Sequence, residues 1–179
     1  MEKQKNLVRL AKMAMLVAIS VILVSIIHFP IFPAVAFLEY DPADIPIFIG
    51  TFAFGPIAGL MITVVVSLVQ GLTVSAGSGA YGIIMHIIAT GSFVIVAGFL
   101  YRHKKTKKEA IIALAAGTLT MVVVMYFANL VITPMFTGWP VTAVKELMPF
   151  ILAFNAVKAG LNSIVTFLLY KRISGFLHR

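Results

Sequence analysis

The sequence lacks cysteine and has few charged residues, and both shortages narrow what the chain can be. Without cysteine it forms neither a disulfide nor a thiolate metal site. Charged residues make up 11% of the chain, against about 25% in soluble domains, whereas hydrophobic residues make up 61%. A soluble domain of 179 residues has no interior large enough to hide that much apolar surface. The composition therefore indicates an integral membrane protein in a lipid bilayer, and it excludes an ordinary cytosolic enzyme and a disordered chain.

The basic residues are concentrated rather than spread. Twelve of the 14 Lys and Arg residues lie in three clusters, at 1–12, 102–108 and 171–179. Clustered Lys and Arg beside apolar spans mark cytoplasmic loops, so we expect all three basic clusters on the cytoplasmic side. None of them interleaves basic residues with the polar or aromatic readers that nucleic-acid binding needs, so no nucleic-acid partner is expected.

The apolar runs predict an all-α fold of six transmembrane helices, forming a single membrane domain over residues 1–179. The count depends on residues 45–74, an apolar stretch interrupted at Gly55 and Pro56. One helix there would put the 102–108 cluster outside, whereas two helices put all three clusters on one side. We therefore predict two helices, with both the N- and C-termini cytoplasmic. The predicted helices cover about 7–28, 44–54, 56–73, 82–101, 109–133 and 147–172.

Two connections are predicted on the outer side. Residues 30–46 hold four of the eight prolines and three of the six acids, which predicts an ordered, non-helical loop. Asp41 and Asp44 stand where a carboxylate could cap the helix that follows. The second connection, SAGSGAYG over 75–82, contains a G-x-G-x-x-G pattern but lacks the strand and acid of a dinucleotide site. Its glycines would instead let the backbone approach a ligand closely.

The strongest candidate site is on the last predicted helix. Asn155, Lys158 and Asn162 fall within about 60° of one another on a helix, and a charge inside an apolar span marks a functional candidate. On one interpretation they form the floor of an outward-open pocket, and replacing Lys158 with Met should then cost binding but no stability. On the other they only join helices, with Lys158 paired to an acid. The candidate acids are Glu39, Asp41 and Asp44, and further amides at similar depth are Gln70 and Asn129.

No recognisable catalytic or metal-binding set is present in the sequence. It contains no G-x-S-x-G, no H-E-x-x-H and no P-loop, so we predict no enzyme, no metal site and no ATP binding by this chain. His86, inside a predicted helix, is expected to be a hydrogen-bonded core histidine. Ala14 and Ala18 form a small-xxx-small face near the inner end of the first helix, which suits either internal packing or the docking of a partner.

Two segments resemble a known family over essentially the whole chain. FLEYDPADIPIFIGTFAFGPIAGL (37–60) and PFILAFNAVKAGLNSIVTFLLYKRI (149–173) resemble the riboflavin-specific substrate-binding (S) subunit of energy-coupling factor (ECF) vitamin transporters. The resemblance implies capture of riboflavin at the outer face of the cell membrane, as a transported substrate rather than a cofactor. It also implies assembly with a membrane coupling (T) subunit and two ATP-binding subunits. By motif, the implied riboflavin contacts are Leu38, Glu39, Tyr40, Asp41, Asn129, Asn155 and Lys158, and the implied docking residues are Ala14 and Ala18.

The chemistry of such a ligand suits these residues. The isoalloxazine ring is flat and apolar, with one polar edge of carbonyls and an N–H. An Asn amide offers both a donor and an acceptor to that edge, and Lys158 offers donors only. Tyr40, Phe37 and Tyr81 could wall the ring. Two alternatives remain open: an S subunit for thiamine, folate or biotin, and a structural membrane subunit without a ligand.

Overall fold

The structure is a computed structural model that describes residues 2–177, so residues 178 and 179 of the third basic cluster lie outside the described residues. Within that range the chain is all-helical apart from one small hairpin and short turns, as the apolar composition predicts. Four helical segments are long and apolar enough to cross a membrane, at Lys3–Ile26, Ala76–His103, Lys107–Thr137 and Val141–Tyr170. The six helices of the described residues are α1 (Glu2–Ile26), α2 (Asp44–Phe54), α3 (Pro56–Leu72), α4 (Gly79–His103), α5 (Lys107–Thr137) and α6 (Val141–Leu177).

Helix α5 extends past Pro134, before which the sequence suggested its end, and helix α6 begins at Val141, earlier than the predicted residue 147. Helix α5 continues through Pro134 and ends at Thr137. The next residue, Gly138, has a φ of 72°, which suits glycine, and its N–H donates to the Pro134 carbonyl at 3.0 Å. Helix α6 begins directly after Pro140, whose carbonyl accepts from Ala143 N–H at 3.0 Å. It also runs through Pro149. A proline inside a helix removes one donor, and tertiary packing in these long helices outweighs that loss.

The α2–α3 pair reverses direction at one glycine. Gly55 has a φ of 94°, in the left-handed region that glycine adopts readily. Helix α3 then packs back along α2 so closely at Gly59 that a side chain there would overlap Thr51. Every residue from 44 to 53 in α2 is buried. A helix of 11 residues, about 16 Å long, therefore lies inside the protein rather than against lipid.

One end of the bundle brings together residues that adjoin the three basic clusters. The Arg9 guanidinium donates to the Phe54 carbonyl at 3.1 Å, which places the start of α1 beside the end of α2. The Phe52 ring stacks on Tyr101 with centroids 4.1 Å apart, and Tyr101 lies 5.8 Å from Tyr170. Tyr101 directly precedes the second basic cluster and Tyr170 the third. We call this the basic end of the bundle.

The connection between α1 and α2 is ordered by packing and by a short hairpin. Strands β1 (Phe29–Pro30) and β2 (Glu39–Tyr40) pair antiparallel, with Phe29 opposite Tyr40. Between them, Val35 is fully buried against α6. The hairpin was not predicted from the sequence, although an ordered loop was. Val35 belongs to a small apolar core, separate from the main one, whose buried members are Val35, Val144, Met148 and Ile151.

Candidate functional site

A cavity of about 340 Å³ lies where α2 begins, at the opposite end of α2 from the basic end. Ligand pockets in proteins occupy about 300–1,000 Å³ and are mostly apolar with a few placed polar groups. Apolar side chains from several helices line part of the cavity, including Val24, Met85, Met121 and Phe154. The predicted site residues that line the cavity are Leu38, Glu39, Asp41, Tyr81, Asn155 and Lys158.

Lys158 forms a buried ion pair, which decides between the acids that the sequence left open. Its Nζ donates to Asp41 Oδ2 at 2.7 Å and lies 4.0 Å from Asp44 Oδ2. Both carboxylates are buried, at 3% and 0% exposure. Glu39 is exposed and does not pair with Lys158. Asp41, Asp44, Asn155 and Lys158 are called the cavity floor below.

Asp44 does not cap α2, which corrects the sequence-based expectation. Its Oδ1 accepts hydrogen bonds from Thr90 Oγ1 at 2.8 Å and His86 Nε2 at 3.1 Å, and its Oδ2 accepts from Asn162 Nδ2 at 3.5 Å. The carboxylate therefore joins α2 to α4 and α6. Asp41 does act near the helix start, because its Oδ1 accepts from Ala43 N–H at 3.0 Å.

His86 is hydrogen-bonded on both ring nitrogens, as expected for a core histidine. Its Nδ1 lies 2.8 Å from Ser67 Oγ on α3, and its Nε2 bonds Asp44. His86 also lines the cavity. Thr90, one helical turn after His86, also bonds Asp44, and sequence reasoning did not identify it as part of the site. Its spacing of four residues from His86 is the signal that places both on one face of α4.

Tyr40 acts behind the cavity wall rather than in it. It is not among the described residues that line the cavity. Its hydroxyl donates to Asn162 Oδ1 at 3.0 Å, and Asn162 Nδ2 donates to the Asp41 carbonyl at 3.1 Å. Burial, together with the neighbouring Asp41 carboxylate, raises the pKa of Tyr40, so the phenol keeps its proton and remains a donor at neutral pH. The pair ties the hairpin to α6.

Asn129 also lies outside the cavity lining among the described residues. Its Nδ2 donates to the Met125 carbonyl at 2.8 Å, and its Oδ1 accepts from Thr133 Oγ1 at 3.0 Å. Thr133 in turn bonds the Tyr81 hydroxyl at 3.0 Å. Asn129 therefore supports Tyr81 through Thr133. The apolar lining residues were not separable from ordinary core residues by sequence pattern.

Asn155 presents half of its amide to the cavity. Its Nδ2 donates to the Ile151 carbonyl at 2.8 Å, one turn earlier in α6. That bond leaves Oδ1 as the acceptor for a ligand, beside the Lys158 donor on the next turn. The floor thus offers an acceptor and a charged donor within one face of a helix.

The two alanines predicted for docking are exposed and do not line the cavity. Ala14 and Ala18 are both exposed on α1, whereas Met13, Leu16 and Ser20 on the same helix are buried. The small-residue face therefore does not pack inside this chain.

Comparison with known proteins gives consistent matches. The family described as "ECF transporter, substrate-specific component" matches residues 8–170. The chain is similar to the riboflavin transporter RibU of Staphylococcus aureus (strain TCH60), at 32% identity over 96% of this chain and 93% of that protein. It is 25% identical to the riboflavin transporter FmnP of Bacillus subtilis (strain 168), over 96% of this chain and 94% of that protein. A solved structure of the S component of a bacterial ECF transporter superposes with a TM-score of 0.81 and 34% identity, covering 96% and 98% of the two chains.

Proposed function

This chain belongs to the family of substrate-specific components of ECF transporters, and from that membership we propose that its cavity binds riboflavin for uptake. The protein is a multi-pass plasma-membrane transport component and not an enzyme. The observation that carries the proposal is the cavity itself, which is lined by apolar side chains and by polar groups that include Asn155 and Lys158 at its floor. The similarity to riboflavin transporters supports the choice of vitamin.

The floor suits the polar edge of the isoalloxazine ring. Lys158 donates to a ring carbonyl or ring nitrogen, and Asn155 Oδ1 accepts from the ring N–H. The apolar walls and Tyr81 pack on the ring faces, while Leu38 and Glu39 close the site from the hairpin side. Tyr40 and Asn129 position their neighbours, and their direct contact with the ligand is proposed from the resemblance alone.

A ligand panel tests the function. We expect detergent-purified protein to bind riboflavin in calorimetry and to co-purify as a yellow protein with flavin absorbance. Thiamine, folate and biotin serve as the matched panel. Binding of one of these vitamins in place of riboflavin would favour the alternative S component. Failure of every vitamin to bind or stabilise the protein would favour a structural subunit.

For the membrane arrangement we propose one domain of six transmembrane helices over residues 1–179, with both termini cytoplasmic. Two features support this count. The reversal at Gly55 makes α2 and α3 separate helices, and the residues adjoining the three basic clusters meet at the basic end. Clusters of Lys and Arg favour the cytoplasmic side. The cavity then faces outward, where the vitamin is captured.

Sidedness is testable with single cysteines, because the natural chain has none. We expect Thr106→Cys, in the exposed α4–α5 connection, to resist a membrane-impermeant thiol reagent in intact cells and to react once the cells are opened. Ala34→Cys, exposed between β1 and β2, is the matched control and should react from outside. Labelling of Thr106→Cys in intact cells would contradict the six-helix arrangement.

We propose that delivery of the vitamin requires a membrane coupling (T) subunit and two ATP-binding subunits, docked through Ala14 and Ala18. Both alanines are exposed, and neither lines the cavity. Small residues let a second helix approach closely, and a larger side chain prevents this.

Ala14→Leu and Ala18→Leu are therefore expected to abolish assembly and transport while riboflavin affinity stays within about twofold of the natural protein. Co-purification of the coupling subunit and calorimetry measure the two properties separately. Ala115→Leu, at an exposed alanine on α5, is the control and should leave both intact. Lost affinity with intact assembly would reject the docking role.

A further inference from the structure

The amide oxygen of Gln70 is a buried acceptor without a partner among the described residues, and Gln70 lines the cavity. Its other half is engaged, because Nε2 donates to Ser75 Oγ at 3.4 Å. A buried polar atom without a partner is costly and rare in folded proteins. Within the described residues, the other such side-chain atom is Thr166 Oγ1, which is not part of the cavity lining.

The position of Gln70 is held by its backbone. Its carbonyl accepts from Thr73 N–H at 3.2 Å and from Ser75 N–H at 2.9 Å, and these bonds end α3. Gln70 follows Ser67 by three residues, so it lies on the same face of α3, about 4.5 Å further along the axis. Ser67 bonds His86, which bonds Asp44 at the floor. The free oxygen of Gln70 is thus one helical turn beyond the polar network of the floor.

The cavity therefore has two polar regions with different chemistry. The floor supplies the Lys158 ammonium and the Asn155 amide. The region around Gln70 supplies an amide oxygen, an acceptor only, which requires an N–H or O–H from the ligand. Apolar side chains such as Met85 and Met121 line the cavity as well. This pattern fits a flat apolar ligand that is polar at one edge and carries separate donors on a side chain.

We propose that Gln70 Oε1 accepts a hydrogen bond from a hydroxyl of the ribityl chain of riboflavin. This inference rests on the proposed function. When the floor engages the carbonyl edge of the ring, it also engages the single ring N–H, which lies between the two carbonyls. The remaining donors of riboflavin are the ribityl hydroxyls. Gln70 is then a specificity residue that favours a flavin bearing a hydroxylated chain over one without it.

The test measures the affinity of two ligands for two variants at position 70 whose side chains are about as long as glutamine. Riboflavin carries the ribityl chain, and lumiflavin has a methyl group in its place. Gln70→Met removes the acceptor and is expected to weaken riboflavin binding about 3- to 10-fold while leaving lumiflavin affinity unchanged. Gln70→Glu keeps an oxygen acceptor and is expected to bind riboflavin within about threefold of the natural protein. Lumiflavin binding also reports that the Met variant is folded.

The control is Thr73→Ala, which removes an exposed hydroxyl at the same end of α3, one that donates to the Val69 carbonyl at 2.6 Å, and leaves Gln70 and the cavity lining in place. It is expected to keep riboflavin affinity. Equal losses in Thr73→Ala and Gln70→Met would mean that Gln70 only supports the α3–α4 connection. A loss in Gln70→Glu as large as in the Met variant would overturn the acceptor role. Riboflavin binding that is unchanged in Gln70→Met overturns this inference alone, whereas a natural protein that fails to bind riboflavin overturns the proposed function with it.

Discussion

Replacing Lys158 with methionine will weaken riboflavin binding and also lower the melting temperature of the ligand-free protein. The binding loss is expected to be about 1.5–3 kcal/mol, the range for a hydrogen bond to a charged group. The stability loss is expected to be about 3–5 kcal/mol, because the change strands a buried carboxylate. Lys158 Nζ lies 2.7 Å from Asp41 Oδ2, and methionine keeps the length and apolar bulk while deleting the charge. Calorimetry and thermal melting in detergent measure the two effects.

The structure decides between the two stability effects expected from the sequence. On the pocket interpretation, removing the ammonium was expected to leave stability unchanged or to raise it, since a desolvated charge disappears; on the ion-pair interpretation, it was expected to lower stability by stranding an acid. In the structure the Lys158 ammonium neutralises the buried Asp41 carboxylate, so removing the ammonium lowers stability.

A double variant separates the two roles of Lys158. Adding Asp41→Asn to Lys158→Met removes the stranded charge, so we expect part of the melting temperature to return while riboflavin binding stays weak. Unchanged affinity in Lys158→Met, together with a lowered melting temperature, would reject the ligand role and leave only the structural one.

Asp44→Ala is expected to destabilise the protein by about 3–5 kcal/mol, the range for breaking a buried charged network. The Asp44 carboxylate is fully buried and accepts hydrogen bonds from α4 and α6, so its removal leaves several donors without an acceptor. The nearby Lys158 ammonium also loses one of its two acids. Thermal melting of the ligand-free variant measures the loss.

Two variants control for the Asp44 result. Asp44→Asn keeps an oxygen for Thr90 and His86, so its melting temperature should fall between those of the natural protein and Asp44→Ala. Glu39→Ala removes an exposed acid and should change stability by about 0.5 kcal/mol or less. If Asp44→Ala melts no lower than Glu39→Ala, the network does not hold the helices together.

Sequence patterns predicted two features poorly: where helices end, and which neighbours the polar side chains around the site bond. Pro134 suggested that a helix ends at residue 133, yet it lies inside α5, because packing along the bundle offsets one lost backbone bond. Tyr40 and Asn129 were named as ligand contacts from motif resemblance. Each bonds neighbouring side chains or backbone in the structure, and their contact with a ligand stays a prediction. A motif identifies a residue near a site but does not say which groups its side chain bonds.

The sequence by itself determined the membrane character, the helical class and the concentration of basic residues in three clusters, because these properties depend only on composition and order along the chain. It also singled out Lys158, since a charge within an apolar run is visible without a fold. Only the tertiary structure decided the partner of that charge. Three acids within six residues are equivalent in sequence, and burial beside α6 distinguishes Asp41 and Asp44 from the exposed Glu39. The unpartnered oxygen of Gln70 likewise exists only in three dimensions, because it depends on which donors from other segments reach it.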